Sequence, residues 1–463
     1  MLDLLIVNAL YPDFGNYKTG KSNADSSMKK ANIGILNGKI HYIGDAEPEA
    51  ASVFDAEGLV VSPGFIDIHM HEERFGTEGK KYYAANCMLE MGVTTAVGGN
   101  CGTQRQPLGE FKDVLNELGG APVNYMIQSG YNYFRVEMGV DHHEVTSSKQ
   151  RLVIRDKLMN EIEQGACGIS FGIEYDPAMT FDEMLFALER LEDPNYIVSA
   201  HYRDECHVNT DNLDEMIRLS AAIKPKFQIS HLSSGCAYGI MSDCLENINK
   251  AMEKDSGLNY DTYPYNAFST YIGSTVFEDG CLEGWGVDYD KILLTDDPYR
   301  NVYCDEKIFH DARENYPQML AVAFVMKEDD IREAIVNPNG MVASDGIMAS
   351  GNGHPRIAGT FPRVLGKYVR EENALPLVDA LRKITLEPAE RMNLSHKGRI
   401  LEGCDADLTI FNPSTIIDKA DFGHLERPEG IVRVYNKGGL ALENGIIVNG
   451  RLGRFIPYQG GNH

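Results

Sequence analysis

The sequence predicts an α/β fold: a (β/α)8 TIM barrel with a small β-sandwich domain assembled from both chain ends. Apolar strand-like runs alternate with helix-like segments through the middle of the chain, a pattern that favours a parallel sheet. Eight such units predict a closed barrel whose active site lies at the carboxyl ends of the strands. The candidate strands are Phe65–His69, Thr94–Gly98, Val123–Gln128, Gly168–Phe171, Ile197–Ala200, Phe227–Ser230, Leu258–Thr262 and Met341–Ala343.

The two chain ends contain short apolar runs interrupted by turn residues, of which Asn37-Gly38 is a typical hairpin signal. We therefore expect residues 1–62 and 396–463 to form the composite β-sandwich domain, and residues 63–395 to form the barrel. The interval before the last strand is longer than one connecting helix requires. It predicts a lid or an inserted subdomain at about residues 272–339.

The composition indicates a globular protein with an acidic surface. The 463 residues carry a formal net charge of −25, which disfavours nucleic acid and anionic membranes as partners. No apolar run approaches the length of a membrane span, and the first residues lack the basic segment of a signal peptide. Nine irregularly spaced cysteines are typical of a reducing cytoplasm rather than of a disulfide framework. We expect a small-molecule substrate and a cytoplasmic location.

Metal-competent side chains follow the predicted barrel strands. His69 and His71 are two residues apart at the end of the first strand, so both can face the same ion. Two histidines at this spacing also occur by chance, but four further metal-competent residues lie at or just after the ends of other predicted strands. Because barrel enzymes assemble their sites at this rim, the six together predict a metal centre. The four are Cys101 after the second strand, His201 and His231 closing the fifth and sixth, and Asp345 after the eighth.

Several sequence blocks, which together span nearly the whole chain, identify a known family. The chain resembles the amidohydrolase superfamily and, within it, the D-aminoacylase branch of N-acyl-D-amino-acid deacylases. Hydantoinases and dihydroorotases of this superfamily bridge two metals with a carboxylated lysine on the fourth strand, and no lysine occurs in the predicted fourth strand here. The D-aminoacylase branch uses a cysteine after the second strand instead. The blocks that carry the resemblance include Pro63–His71, Gly99–Gly102, His201–Glu205, Gln228–His231, Ser344–Gly346, His354–Arg356 and Gly359–Gly366.

The resemblance implies a ligand set and a catalytic group. Cys101, His201 and His231 would hold a tight Zn²⁺, since thiolate and imidazole are good zinc ligands. His69 and His71 would form a second, weaker site that Cys101 and Asp345 could share. Asp345 would also act as general base and then acid. On the residues alone, Cys101 could instead be a buried apolar residue, and Asp345 could be a helix cap.

The resemblance also implies substrate contacts. Arg356 matches an arginine that binds the substrate carboxylate, a role that suits a planar guanidinium. Tyr175, Tyr263 and Ser269 match other substrate-binding positions, although each could simply pack at the barrel mouth. The family lysine two residues after the histidine of the sixth strand is replaced by Ser233. Glu205 lies four residues after His201, and we interpret it as a residue that supports the metal ligands rather than as a catalytic residue.

The leading interpretation is metal-dependent hydrolysis of the amide bond of an N-acyl-amino acid, giving a carboxylate and a free amino acid. The preference for the D enantiomer follows from the resemblance alone. One alternative is a cyclic-amide hydrolase of the hydantoinase or dihydropyrimidinase type. Another is a non-catalytic metal-binding homologue.

Overall fold

The strands and helices alternate through the middle of the chain. The computed structural model describes residues 1–15, 26–76, 79–205, 210–349 and 352–458. The strands are β1 (Leu4–Asp13), β2 (Ser27–Leu36), β3 (Lys39–Gly44), β4 (Val53–Asp55), β5 (Val60–Pro63), β6 (Phe65–Asp67), β7 (Val93–Gly98), β8 (Asn124–Gly130), β9 (Gly168–Gly172), β10 (Ile197–His201), β11 (Lys226–Ile229), β12 (Leu258–Thr262), β13 (Phe268–Tyr271), β14 (Ile292–Leu294), β15 (Val302–Tyr303), β16 (Leu320–Ala323), β17 (Met341–Val342), β18 (Met348–Ala349), β19 (Asn352–Gly353), β20 (Leu408–Phe411), β21 (Ile431–Asn436), β22 (Gly439–Glu443) and β23 (Ile446–Ile447). The helices are α1 (Ala84–Glu90), α2 (Leu108–Glu117), α3 (Tyr131–Glu137), α4 (Ser148–Glu163), α5 (Phe181–Leu188), α6 (Asp211–Ala222), α7 (Leu232–Cys236), α8 (Met241–Met252), α9 (Cys281–Trp285), α10 (Glu306–Asn315), α11 (Glu328–Val336), α12 (Arg356–Arg363), α13 (Leu377–Ile384) and α14 (Leu386–Arg391), with a π-helix at Val364–Glu371 and 3₁₀ turns at Thr275–Phe277 and Tyr289–Lys291.

Eight parallel strands form the barrel, in the order β6-β7-β8-β9-β10-β11-β12-β17. The predicted fold class is confirmed, and each predicted strand is present with its ends shifted by at most two residues. The first and last strands meet beyond their ends. There the His71 N–H donates to the Gly346 carbonyl at 2.9 Å, and the Asp345 N–H donates to the His69 carbonyl at 2.7 Å. Closure of the barrel therefore takes place at the residues that carry the predicted metal ligands.

The strands from the two chain ends pair in one nine-stranded sheet, in which β5 and β20 are antiparallel neighbours. The predicted hairpin turn is present, because Asn37 and Gly38 have φ values of +52° and +74° between β2 and β3. Apolar side chains from both ends, including Ile6, Ile33 and Leu408, form a separate core beneath this sheet. The division into domains at residues 62 and 396 stays a prediction.

An antiparallel sheet of β13, β16, β14 and β15 occupies much of the interval in which we predicted an insertion. Its strand β13 lines a cavity at the barrel mouth. Helix α9 of the same interval also contacts the mouth, because the Trp285 indole N–H donates to the carbonyl oxygen of Glu205 at 3.0 Å. The first strand of this sheet begins at Phe268, before the predicted boundary at about residue 272. A role for this segment as a lid stays a prediction. No helix in the described ranges is long and apolar enough to cross a lipid bilayer.

A buried carboxylate supports the closure of the barrel. Asp67 is fully buried, and its Oδ1 accepts the backbone N–H groups of His69 at 3.2 Å and Ser344 at 3.0 Å. Its Oδ2 accepts the Ser344 hydroxyl at 2.5 Å. Burial raises the pKa of Asp67 to about 6, although these hydrogen bonds counteract the shift. Asp67 is therefore ionised at pH 8 and links β6 to the residues that follow β17.

We predict that Asp67→Ala lowers the free energy of unfolding by about 2 to 5 kcal/mol at pH 8, because it leaves buried donors without an acceptor. Urea denaturation measures this change. The control is Asp55→Ala, which removes an exposed carboxylate that also accepts two hydrogen bonds, from Asn8 and the Glu57 N–H. We expect the control to lower the free energy of unfolding by less than about 1 kcal/mol, because the exposed donors form hydrogen bonds with water instead. Equal losses in the two variants would contradict the role of Asp67.

Candidate metal centre

The six predicted metal-competent residues converge at the carboxyl end of the barrel, and all six are buried. Three of them have left-handed backbone conformations, with φ of +52° at Cys101, +34° at His231 and +49° at Asp345. Positive φ is uncommon in residues other than glycine and is enriched at functional sites, where the surrounding structure enforces it. The backbone thus turns sharply where β7, β11 and β17 deliver their side chains to the centre.

The loop that carries Cys101 is held tightly against the barrel. Gly99 has φ of +72°, and a Cβ atom there would lie 2.0 Å from the Gln128 carbonyl oxygen, so this position requires glycine. The Ser170 hydroxyl accepts the Gly102 N–H at 2.9 Å and donates to the Gly99 carbonyl at 2.5 Å. These contacts with β8 and β9 fix Gly99 and Gly102, and so fix the position of the Cys101 thiol in the loop between these two glycines.

Cys101, His201 and His231 form one potential ligand group. The Cys101 Sγ lies 3.5 Å from His231 Nε2, which lies 2.8 Å from His201 Nδ1. A tetrahedral zinc ion with bonds of about 2.0–2.3 Å separates its ligand atoms by about 3.4–3.6 Å. The sulfur–nitrogen spacing lies in this range, whereas the two imidazole nitrogens are closer together than such an ion requires. The three side chains therefore fit the ion once the rings of His201 and His231 move apart.

A second potential group comprises His69, His71, Cys101 and Asp345. The Asp345 Oδ1 atom lies 3.3 Å from His69 Nε2 and 3.2 Å from His71 Nε2. The Cys101 Sγ lies 3.3 Å from His69 Nε2, so the thiol belongs to both groups. The arrangement can therefore hold one or two metal ions, and Cys101 is the residue that the two groups share.

Acceptors behind three of the histidines orient the imidazole rings. His69 Nδ1 lies 3.0 Å from Asp261 Oδ1, and His201 Nε2 lies 2.9 Å from Glu174 Oε2. His231 Nδ1 lies 2.5 Å from the Ser234 hydroxyl, which donates in turn to a carboxylate oxygen of Glu205 at 2.5 Å. With these nitrogens protonated, each ring presents its other nitrogen to the centre as an unprotonated ligand, as is usual for metal-binding histidines.

Sequence reasoning did not identify Glu174, Asp261 or Ser234 as part of the site. Glu174 follows β9 and Asp261 lies near the end of β12, so the rule that barrel sites form at strand ends could have found both. Ser234 lies in the short helix α7, and no sequence signal distinguishes it from its neighbour Ser233. The supporting role expected for Glu205 agrees with its contact to Ser234.

The charges of the centre stabilise one another. Burial raises the pKa of the Cys101 thiol, but His69 and His231 outweigh this and hold it well below its usual range. Burial likewise raises the pKa of Asp345, and the Arg356 guanidinium with the same two histidines brings it well below its usual range. Both groups are therefore anionic while the histidines facing them are protonated, and a divalent cation bound there would take the place of those protons.

A cavity of about 230 Å³ opens onto this centre. The predicted substrate residues Tyr175, Tyr263, Ser269 and Arg356 all line it, together with four of the six predicted metal-competent residues: His71, His201, His231 and Asp345. Ser233, which replaces the family lysine, is fully buried and is not among the lining residues.

Arg356 is the buried cation of the cavity wall. It is 2% exposed, and its Nη2 donates to Asp345 Oδ2 and to the Ser269 carbonyl, both at 3.0 Å. The guanidinium carbon lies 4.8 Å from the centre of the Tyr263 ring. Within the described ranges, its Nε and Nη1 have no hydrogen-bond partner. A buried cation with unused N–H groups on a cavity wall can bind an anionic group.

Comparisons with known proteins agree with this architecture. D-aminoacylase from Alcaligenes xylosoxydans xylosoxydans is 29% identical over 464 residues, which cover 92% of this chain and 94% of that protein. N-acyl-D-aspartate deacylase from the same organism is 27% identical and covers 89% of this chain and 88% of that protein. A solved D-aminoacylase structure, described as containing a binuclear metal centre, superposes with a TM-score of 0.86 at 26% identity, covering 99% and 100% of the two chains.

The model of the amidohydrolase family matches residues 52–150 and 303–438, which together make up just over half of the chain. These ranges contain His69, His71, Cys101, Asp345 and Arg356. The chain therefore belongs to the amidohydrolase family and is a hydrolase of carbon–nitrogen bonds.

Proposed function

We propose that this protein hydrolyses the amide bond of an N-acyl-D-amino acid and releases a carboxylate and a free amino acid. The observation that carries the proposal is the buried Arg356, which keeps unused N–H groups and lines the same cavity as four of the metal-competent side chains. A substrate that places an amide at the centre and a carboxylate against Arg356 satisfies both. The D enantiomer is supported by the similarity to D-aminoacylase and N-acyl-D-aspartate deacylase.

Cys101, His201 and His231 would hold one tight Zn²⁺, because a thiolate and two oriented imidazoles match the ligand preference of zinc. His69 and His71, with Asp345 and the shared Cys101, would form a weaker second site. When bound, zinc polarises the amide carbonyl and lowers the pKa of water. Glu174, Ser234 and Asp261 orient the imidazole rings for these roles.

Asp345 would move the proton. It is ionised, and its Oδ1 faces His69 and His71 at the cavity. An ionised carboxylate here can accept a proton from the attacking water and then deliver it to the leaving amine. Arg356, bonded to the other carboxylate oxygen, would hold the substrate carboxylate close to the group that protonates the amine.

Two features disfavour the alternatives. β9 contains no lysine that could be carboxylated, which argues against a hydantoinase-type cyclic-amide hydrolase. The chain retains all six predicted metal and acid–base residues in one centre, which argues against a non-catalytic homologue. We also propose a cytoplasmic location, which is supported by eight free cysteines among the described residues.

The substrate class is tested by assaying the zinc-replete enzyme with N-acetyl and N-formyl derivatives of D- and L-amino acids, hydantoin and dihydrouracil. We expect turnover of N-acyl-D-amino acids, with the L enantiomers at least about tenfold slower in kcat/KM, since a mirrored substrate cannot satisfy the centre and Arg356 together. Ring opening without hydrolysis of any N-acyl-amino acid would transfer the assignment to the cyclic-amide alternative.

We predict that Asp345→Asn lowers kcat by about 10²- to 10⁴-fold, because the amide cannot accept a proton. Zinc content should stay near that of the wild type, because the tight ligands are untouched. Steady-state kinetics and elemental analysis measure the two quantities. The matched control is Asp311→Asn on α10, an acidic side chain outside the cavity lining, which should retain activity. Near-normal turnover of Asp345→Asn at every pH would place the proton transfer elsewhere.

We predict that Arg356→Lys raises KM for N-acyl-D-amino acids by about 10- to 100-fold, because lysine keeps the charge but loses the planar fork. An N-acyl amine without the carboxylate serves as the control substrate, and its kcat/KM should change far less. If Arg356→Lys and Arg356→Ala both left KM for the best carboxylate-bearing substrate unchanged, Arg356 would not be the carboxylate site.

A further inference from the structure

We infer that Glu72 is a positioning residue that controls whether a second metal ion binds beside the tight one. The inference rests on the proposed function, because it takes the Cys101 thiol as the ligand that both ions share. It arises from a buried carboxylate that neither the predicted ligand set nor the proposed proton transfer uses. This carboxylate joins the loop of Cys101 to the segment that carries His69 and His71.

Glu72 closes the loop that carries the shared thiol. Its Oε2 accepts the Gly99 N–H at 2.8 Å, and its Oε1 accepts the Arg105 backbone N–H at 2.7 Å. The two oxygens of one side chain therefore hold both ends of the segment around Cys101. Glu72 is only 4% exposed, and a Cβ atom at Gly98 would lie 2.7 Å from its Oε2, so the carboxylate fits closely against the end of β7.

These two hydrogen bonds act from the side of the second potential ligand group. Glu72 directly follows His71, whose N–H donates to the Gly346 carbonyl where the barrel closes. The carboxylate thus connects the loop to a fixed part of the backbone. It supports the spacing of 3.3 Å between Cys101 Sγ and His69 Nε2, which the second group requires.

A different residue holds the loop from the side of the tight group. The Ser170 hydroxyl on β9 makes two hydrogen bonds to the same loop, and β9 pairs with β10, the strand that ends in His201. Without the Glu72 carboxylate these contacts remain and keep the thiol near the tight group, but the distance from the thiol to His69 is no longer fixed. Loss of this carboxylate should therefore weaken the second ion selectively.

Glu72 acts through the metal centre and not on the substrate. It is not among the described residues that line the catalytic cavity, and it lines a neighbouring cavity of about 170 Å³ instead. Residues that hold metal ligands in place change metal affinity when they are replaced. Ion binding is therefore the quantity that a change at Glu72 alters first.

Titration of the metal-free enzyme with Co²⁺ tests the inference without relying on activity. Competition with a chelator gives the binding constants, and thiolate-to-cobalt charge-transfer absorption reports whether Cys101 is a ligand. We expect wild type to bind one ion tightly and a second more weakly. In Glu72→Gln, which replaces one acceptor oxygen by an N–H donor, the first ion should bind as in wild type and give the same absorption. The second ion should bind about 10- to 100-fold more weakly.

Two further variants separate positioning from a general loss of stability. Glu72→Asp keeps both acceptor oxygens on a shorter side chain and should restore part of the affinity for the second ion. The matched control is Glu73→Gln, because Glu73 is also buried and accepts the Ala85 N–H at 2.8 Å and the Tyr125 hydroxyl at 2.6 Å. Neither donor belongs to the loop, so this control should lower the midpoint of urea unfolding but leave both ion affinities unchanged. If Glu72→Gln does not fold, Glu72→Asp is judged by the same criteria.

The inference is overturned if Glu72→Gln binds the second ion as tightly as wild type. It is also overturned if both ions weaken equally, since the carboxylate would then support the whole centre, or if wild type binds a single ion at every Co²⁺ concentration. Each of these results leaves the tight site and the proposed hydrolysis intact. A wild-type enzyme without thiolate-to-cobalt absorption would instead overturn the ligand set of the proposed function.

Discussion

The centre depends on hydrogen bonds that orient three imidazole rings. Each bond is made by the ring nitrogen that faces away from the centre. Asp261, Glu174 and Ser234 each engage one nitrogen of a histidine, and the other nitrogen then faces the centre. Without these acceptors a ring could rotate or present a protonated nitrogen, and the converging ligand set would be lost. Asp261 has a double role, because it also accepts the His231 N–H at 2.9 Å and so fixes the backbone turn after β11.

The barrel and its centre support each other. Strands β6 and β17 end short, and closure continues through backbone contacts at His69, His71 and Asp345. The same residues supply side chains to the site, so any change that loosens closure also displaces side chains that could bind a metal ion. Left-handed backbone at Cys101, His231 and Asp345 carries a conformational cost that the surrounding hydrogen bonds offset. Stability and function are thus coupled at one end of the barrel.

Much of this could be predicted from the sequence, for identifiable reasons. The apolar runs predicted the barrel because barrel strands are buried on both faces. Barrel enzymes build their sites at the carboxyl ends of the strands, and this rule predicted which polar side chains would meet at that end. The orienting residues were harder to find, since Ser234 depends on the path of α7 and Glu174 on the turn after β9. The predicted insertion began at about residue 272, after the observed start of its sheet at Phe268. The sequence contains no clear boundary there because β13 follows the seventh barrel strand, β12, almost directly.

The central claim is that Cys101, His201 and His231 together form the tight zinc site. Anomalous X-ray diffraction at the zinc edge, from crystals grown with one equivalent of zinc, tests it most directly. We expect one strong peak within about 2.5 Å of Cys101 Sγ, His201 Nδ1 and His231 Nε2. A single peak bound by His69, His71 and Asp345, with the Cys101 thiol uncoordinated, would contradict the account.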